Sequence, residues 1–261
     1  LLILFVLPED TFAICVGLIV LVGAWEWIRL SGFVNQLLTG ALLVIFGGVL
    51  IWSYLLPNAD IPMILGIGCT FWFGAALMVM MYPRSKQRVD GKCIKLGFGL
   101  LVLIPAYVAL LYLRRHEAHL LLTALLVTSI WAADVGAYFV GRQFGTTKLA
   151  PNVSPGKSWE GLVGGVIIAL AIGTLGASLA EPSHQIFSPI AWFVLPGIVV
   201  ITVLFSVLGD LFESLIKREQ GVKDSSSLLP GHGGVMDRID SLTAATPVFA
   251  LSVHFTGWPS L

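Results

Sequence analysis

The chain has 261 residues, of which 57% are hydrophobic and only 11% are charged, and its mean hydropathy is +0.91. A soluble domain carries about 25% charged residues, so this chain lacks the polar surface that a water-soluble protein of its length needs. Basic and acidic residues number 15 each and cancel, which leaves no basic excess for binding nucleic acid. The composition excludes a disordered chain, a disulfide-rich secreted module and an ordinary soluble enzyme, and it predicts a polytopic membrane protein.

Apolar stretches of helical length recur along the chain. The first, Leu1–Leu7, is shorter than the roughly 20 residues that span a bilayer, so we interpret it as the tail of a helix that begins before the numbering. The runs are solidly apolar, which excludes the alternating strands of a β-barrel. Further helices are predicted near 11–30, 36–56, 61–82, 96–113, 119–141, 160–179, 189–212 and 242–258. The sequence thus predicts an all-α, polytopic helical membrane protein with about nine transmembrane helices, the first of them truncated.

The basic residues indicate how the helices are oriented. If the first helix leaves the cytoplasm, the cytoplasmic loops are those at 30–35, 83–95, 142–159 and 213–241. With Arg29 at a helix end, that side holds thirteen of the 15 basic residues, and only Arg114 and Arg115 fall outside. Cytoplasmic loops of membrane proteins are enriched in Lys and Arg. We therefore expect these loops to face the cytoplasm at the cell inner (plasma) membrane.

The two halves of the chain differ in character. Residues 1–113 form nearly featureless apolar spans with aromatic residues near their ends, which is typical of interfacial anchoring. Within them, Glu26 is interpreted as half of a helix-end ion pair with Arg29. Residues 114–261 carry polar and ionisable residues inside the spans. We predict a structural N-terminal region at 1–113 that faces lipid and a dimer partner, and a catalytic transmembrane region with cytoplasmic loops at 114–261.

A polar helical face is predicted near the end of the helix at 189–212. Asp210, Glu213, Ser214 and Lys217 are spaced i, i+3, i+4 and i+7, which places them on one face. An unpaired carboxylate at the end of an apolar run is costly, so the position of Asp210 favours a functional role. The alternative is a solvent-exposed set of i,i+4 pairs such as Glu213–Lys217.

A glycine-rich loop follows, from Lys223 to Ser241. Three glycines around His232 permit close approach of the backbone, and such loops present N–H groups to phosphate oxygens. Cations precede the loop and carboxylates are mixed among them, an arrangement typical of Mg²⁺ bridging carboxylate and phosphate. The loop therefore predicts a site for phosphate and a divalent metal ion.

A third polar block precedes the helix at 160–179. Ser154 and Pro155 have the residue types of an N-cap and a first helical position, so Lys157 is predicted in the first helical turn. A cation is disfavoured there by the helix dipole unless it shares an anion with the helix N-terminus. The block predicts that Lys157 binds a phosphate; the alternative is a lysine that extends to lipid headgroups.

Asp134 lies well inside an apolar helix. An intramembrane carboxylate is a functional candidate by default, and the alternative is a structural ion pair with a later Lys or Arg. Asp134 and Asp210 could also be coupling sites of a transporter. Against a transporter, the charged residues cluster on one side, and the polar blocks do not recur in the front half as an inverted repeat would require.

These blocks resemble a known family. The run from Ser214 through Lys217–Arg218, Lys223–Asp224, His232–Gly234 and Asp237–Asp240 is similar, with the same spacing over about 27 residues, to the signature of phosphatidate cytidylyltransferases, also called CDP-diacylglycerol synthases. The segments 134–138 and 154–161 resemble the other polar blocks of that family, with serine at 158 where threonine is common.

The resemblance implies a nucleotidyltransferase of phospholipid biosynthesis that transfers CMP from CTP to phosphatidic acid, giving CDP-diacylglycerol and pyrophosphate. It also implies a cytoplasmic site that uses Mg²⁺, alone or with a second monovalent or divalent cation, in a homodimer surrounded by membrane lipids. The positions of the family's metal ligands are Asp210 and Asp237. The other candidate catalytic residues are Lys157, Lys217, Arg218, Lys223, Asp224, His232 and Arg238. The candidate substrate-binding residues are Asp134, Lys148, Ser154, Ser214, Gly233, Gly234 and Asp240. A related CTP-using prenyl or lipid transferase with another acceptor is the alternative.

Overall fold

The computed structural model describes residues 5–57, 60–85, 90–184 and 188–259. Its helices are α1 (Glu9–Leu30), α2 (Gln36–Tyr54), α3 (Ile61–Met80), α4 (Lys92–Arg115), α5 (His119–Phe144), α6 (Trp159–His184), α7 (Pro189–Glu219) and α8 (Met236–Thr256). An antiparallel hairpin of β1 (Lys148–Ala150) and β2 (Ser154–Ser158) connects α5 to α6. Within these ranges seven helices, α1 to α7, are long and apolar enough to cross a membrane. The prediction of an all-α polytopic membrane protein is confirmed.

The helices lie where the apolar runs predicted them, with differences of four residues or more at four ends. Helix α4 begins four residues earlier than predicted, α6 continues to His184, α7 continues to Glu219, and α8 begins at Met236. The extension of α7 makes the whole polar face from Asp210 to Lys217 helical. Residues 1–4 of the predicted first segment lie outside the described residues, and the predicted total of nine transmembrane helices is not confirmed.

The prediction for the segment before α6 is wrong. Ser154 and Pro155 belong to β2, and the helix begins at Trp159. The serine that caps α6 is Ser158, whose Oγ accepts a hydrogen bond from the N–H of Gly161 at 3.1 Å. Lys157 therefore lies in a strand and not in a first helical turn. Strand pairing selects the later serine, because Ser158 is the partner of Lys148 across the hairpin.

Helix α1 connects the two ends of the bundle. At its start, Glu9 accepts a hydrogen bond from Nε of Arg115 at 2.7 Å, and Arg115 also donates to the carbonyl of Tyr54 at 3.0 Å. The last turns of α2 and α4 therefore lie at this end. Near its other end, Glu26 contacts the first residue of α8. At 1.5 Å rise per residue, Glu9 and Glu26 are about 25 Å apart along the helix, so the α8 start lies at the end opposite Arg115.

Aromatic side chains hold α7 in the centre of the bundle. The ring of Phe212 is fully buried and makes edge-to-face contacts with Phe71, Trp72 and Phe98 at centroid distances of 5.4, 5.7 and 5.7 Å. Such pairs contribute about 0.5–1.5 kcal/mol each beyond their burial. Because Phe212 follows Asp210 by two residues, these contacts fix the helix turn that carries that carboxylate.

Small residues let α6 approach α5 closely. A Cβ at Gly161 would lie 2.9 Å from the carbonyl oxygen of Ala137, and one at Gly165 would lie 2.6 Å from that of Ala133. Both distances are too short for any larger residue, so glycine is required at these positions for the two helices to pack this closely. Asp134 follows Ala133 directly and is carried on this rigid helix pair.

Candidate active site

A cavity of about 460 Å³, which we call the polar cavity because charged side chains line it, lies between α5, the hairpin, α6 and α7. Its ionisable lining residues include Asp134, Arg142, Lys157 and Asp210. Nζ of Lys157 forms an ion pair with Oδ2 of Asp210 at 2.6 Å, and Asp134 is close enough to interact electrostatically with both. Three predicted site residues from three separate sequence blocks are therefore brought together.

An apolar cavity of about 500 Å³ adjoins the polar one. The two share Leu149, Leu162 and Val207 as lining residues. Most of the apolar cavity is lined by aliphatic and aromatic side chains, among them Trp72 and Phe73. Together the two cavities suit a molecule that has a charged head and an apolar chain.

Lys217 lies at the centre of a second cluster, between α7 and α8. Its Nζ donates to Oε2 of Glu213 at 3.0 Å and to Oδ1 of Asp237 at 2.5 Å. Glu213 is 2% exposed and Lys217 is 9% exposed. The i,i+4 pair of Glu213 and Lys217 therefore forms, but it is buried and belongs to the site, whereas the alternative interpretation placed it in solvent.

The glycine-rich loop wraps around the carboxylate of Asp237. Oδ2 of Asp237 accepts hydrogen bonds from the N–H of Ser225 at 2.9 Å, the hydroxyl of Ser225 at 2.7 Å and the N–H of Gly234 at 2.7 Å. Gly233 has φ +80° and a Cβ there would lie 2.8 Å from Oδ2, so glycine is required. Burial alone would raise the pKa of Asp237, but the hydrogen bonds from Lys217, Gly234 and Ser225 outweigh burial and lower it.

Glu26 is a site residue that the sequence interpretation missed. It is fully buried; Oε1 accepts from the N–H of Val235 at 2.9 Å and Oε2 from the N–H of Met236 at 2.7 Å. The predicted ion pair with Arg29 does not occur among the described residues: Glu26 contacts the loop and the start of α8, and the Arg29 guanidinium lies 5.0 Å from the centre of the Trp25 ring. A carboxylate within an apolar span was the only sequence signal for this contact.

Arg142 also lines the polar cavity, whereas the sequence indicates only a basic residue at the start of the predicted loop at 142–159. Its Nη1 donates to the hydroxyl of Tyr138 at 3.1 Å. Asp134, Tyr138 and Arg142 are spaced i, i+4 and i+8, so their shared helix face was the signal that could have identified Arg142.

The remaining predicted residues divide into three groups. Ser214 and Asp240 belong to the site: Oγ of Ser214 donates to Asp210 at 3.3 Å, and Asp240 interacts electrostatically with Asp210. Lys148 and Ser154 lie on the hairpin outside the lining of the polar cavity. The third group is exposed around the loop and the end of α7: Arg218, Lys223, Asp224, His232 and Arg238. Arg238 donates to the carbonyl of His232 at 2.8 Å, which fixes the exposed loop.

Four carboxylates, which we call the acidic strip, follow the facing sides of α7 and α8: Asp210, Glu213, Asp237 and Asp240. Two lysines pair with this strip, and Oε1 of Glu213 is buried without a hydrogen-bond partner in the described part of the chain. An excess of buried negative charge requires a cation or a bound proton. No group of three metal-ligating side chains occurs among the described residues, but Mg²⁺ commonly takes one or two carboxylates and completes its shell with water and substrate phosphate. Asp210 and Asp237 each offer a carboxylate of that kind, and in this structure Asp210 pairs with Lys157 and Asp237 with Lys217.

Comparison with known proteins places the chain in a family. Residues 1–256 match the family described as the Cytidylyltransferase family. The phosphatidate cytidylyltransferase of Pseudomonas aeruginosa is 43% identical over 97% of this chain and 92% of its own length. That of Haemophilus influenzae is 41% identical over 97% and 93%, and that of Brucella suis is 36% identical over 92% and 82%. This chain therefore belongs to the cytidylyltransferase family.

Proposed function

We propose that this chain is an Mg²⁺-dependent phosphatidate cytidylyltransferase that converts CTP and phosphatidic acid to CDP-diacylglycerol and pyrophosphate. The observation that carries the proposal is the pair of adjoining cavities, one holding the Lys157–Asp210 ion pair and the other apolar. Family membership supplies the reaction class. The cavities support the acceptor, because a phosphate head at Lys157 would leave its acyl chains next to Leu162 and Val207.

The reaction needs positive charge and alignment more than it needs a base. A phosphate oxygen of phosphatidic acid attacks the α-phosphorus of CTP; a new P–O bond forms, and the bond from the α-phosphorus to the bridging oxygen breaks to release pyrophosphate. A phosphomonoester has a second pKa of about 6, so the attacking phosphate is already mostly a dianion at pH 7. The difficulty is to bring two polyanions together in line.

The basic residues of the site have different roles in binding and aligning the two phosphates, depending on how buried each residue is. Lys157 and Arg142 line the polar cavity and can contact phosphate. Lys217 is buried and both its contacts are carboxylates, so we assign it to holding Asp237 in place. Arg218, Lys223 and Arg238 are exposed around the loop and would attract the nucleotide. Mg²⁺, when bound at Asp210 and Asp237, would neutralise phosphate charge.

The proposal includes a placement in the membrane. The candidate site lies at the bundle end opposite Arg115, and most basic residues of the sequence fall in the loops at the site end. The positive-inside rule then supports a cytoplasmic site, where CTP is present, in the cell inner membrane. The homodimer implied by the family resemblance remains a prediction.

The test is transfer of label from α-labelled CTP into the organic phase by purified protein in phosphatidic acid–containing liposomes with Mg²⁺. We expect transfer that requires phosphatidic acid and is lost in Asp210→Asn. Label transfer to a polyprenyl phosphate but not to phosphatidic acid would support the alternative acceptor. Absence of transfer to either lipid by folded protein would overturn the proposal.

A further inference from the structure

Glu26 joins the two ends of the glycine-rich loop. Its carboxylate contacts the hydroxyls of Ser225 and Ser226, at 3.3 and 2.5 Å, where the loop begins. It also accepts the N–H groups of Val235 and Met236, where the loop ends and α8 starts. One buried side chain from α1 therefore closes a loop about 200 residues away in the sequence.

The start of α8 depends on this contact. The N-cap residue of α8 is Val235, which provides no side-chain acceptor, and the first N–H groups of a helix need partners from outside it. Glu26 supplies an acceptor to two of them, and the helix dipole favours a negative charge at this position. Asp237 is the second residue of α8, so its position follows from where Glu26 holds the helix.

A second route connects Glu26 to Asp237 through a single hydroxyl. Oγ of Ser225 lies 2.7 Å from Oδ2 of Asp237 and 3.3 Å from Oε2 of Glu26. Gly234 lies against the same atoms: a Cβ at that position would collide with the Ser225 hydroxyl and with Oε1 of Glu26. The two carboxylates thus share one compact shell of donors.

We propose that Glu26 is a positioning residue for Asp237, which it acts on through Ser225 and the first turn of α8. Glu26 holds Oδ2 of Asp237 within its hydrogen-bond shell and so presents Oδ1 to Lys217 and to the cation site. This inference rests on the proposed function only in taking Asp237 as a metal ligand. It assigns a role in the site to the front half of the chain, for which the sequence predicted only scaffolding.

The test variant is Glu26→Gln, which keeps the size of the side chain. It replaces one acceptor oxygen with an NH₂ donor that faces other donors, so the loop loses a partner. Residues that orient metal ligands typically change metal affinity or activity by about 10- to 100-fold when substituted. We expect a loss in that range for both metal binding and kcat, with a smaller change in KM for CTP.

The matched control is Trp27→Phe. Trp27 is the next residue of α1, is buried, and donates from Nε1 to the carbonyl of Lys95 at 2.7 Å, a bond that does not touch the loop. Phenylalanine removes this bond and keeps an aromatic ring at the position that stacks on Phe212. Mn²⁺ binding to the purified full chain is monitored as a decrease in the electron paramagnetic resonance signal of free Mn²⁺. The thermal unfolding midpoint is measured on the same variants. We expect both variants to unfold at a lower temperature and only Glu26→Gln to bind Mn²⁺ more weakly.

If Glu26→Gln and Trp27→Phe bind Mn²⁺ equally well, Glu26 is only a structural cap and the inference is overturned. The inference is also overturned if the parent protein binds no Mn²⁺. If Glu26→Gln does not fold, Ser226→Ala removes one neutral donor and is expected to weaken Mn²⁺ binding about 2- to 10-fold, with an unchanged affinity counting against the inference. Mn²⁺ binding without label transfer by the parent would instead refute the proposed function alone.

Discussion

Lys157 offers the most direct test of the site chemistry. Its Nζ lies 2.6 Å from Oδ2 of Asp210, and the two side chains are 25% and 34% exposed. A partly exposed ion pair contributes about 0–1 kcal/mol to folding. Lys157→Gln should therefore leave the free energy of unfolding nearly unchanged, since the pair is too accessible to water to stabilise the bundle strongly.

Its effect on turnover should be much larger. In the cavity, Lys157 can donate a charged hydrogen bond to a phosphate oxygen that gains charge in the transition state. Loss of one such donor costs about 2–4 kcal/mol, which is roughly a 30- to 1,000-fold lower rate. We expect Lys157→Gln to fall in that range at saturating CTP and Mg²⁺.

The control for Lys157 is Lys92→Gln. Lys92 is an exposed lysine at the start of α4 and is not part of the cavity lining, so its loss should change the rate by no more than a few-fold. Label transfer from α-labelled CTP is compared on equal amounts of folded protein in the same liposomes. Equal losses in the two variants would show that Lys157 acts only as a general surface cation, and the assignment to substrate phosphate would be wrong.

Three further predictions follow from the same geometry. Asp237→Asn should abolish turnover even at high Mg²⁺ while the protein still folds; full activity would exclude an essential metal ligand at this position. In intact cells the exposed Cys93 should not react with an impermeant thiol reagent, whereas a cysteine placed at the exposed Glu117, in the loop next to Arg115, should react. The reverse labelling pattern would show that the proposed membrane orientation is wrong. Gly234→Ala should abolish activity, because its Cβ would collide with Ser225 and Glu26 and disrupt the loop. The control is Gly231→Ala: position 231 has φ +73° and open space around it, so this variant should cost only about 1–2 kcal/mol of stability. Similar activity of the two variants would contradict the described loop packing.

Hydropathy predicted the helices because a bilayer imposes a length on every span and leaves no polar alternative for the backbone. Hydropathy alone ends this helix at 212, because Asp210 and the residues after it are polar; the i, i+3, i+4 and i+7 spacing from Asp210 to Lys217 is the signal that predicts a continued helical face. In the structure these polar side chains satisfy one another within the helix, as Ser214 does with Asp210 and Lys217 with Glu213. Local polarity therefore marked the site but not the helix end.

The hairpin was beyond local sequence rules. Ser154 followed by Pro155 is a good helix start, and so is Ser158 followed by Trp159. Only the pairing of β1 with β2 chooses between them, and that pairing depends on residues across a turn. Lys157 was identified as a phosphate ligand from an argument about a helix dipole that the structure does not support. Its assignment now rests on the ion pair with Asp210 and on the cavity that both residues line.

Glu26 shows why the division at residue 113 describes composition better than it describes the site. The acidic strip and the glycine-rich loop all lie in the second half of the sequence, yet a carboxylate from the first helix holds the loop and the start of α8. No periodicity or local spacing links positions so far apart, and a single buried glutamate has many structural explanations. Close packing gives this glutamate a specific explanation. Gly234 has no side chain and so leaves the space in which Glu26 and Ser225 meet at the loop. The sequence indicated a phosphate-binding role for Gly234, but in the structure glycine is needed there to make room for the Glu26 carboxylate. The same packing makes α1 part of the site, because any shift of α1 along its axis would move Glu26 and with it the first turn of α8, where Asp237 lies.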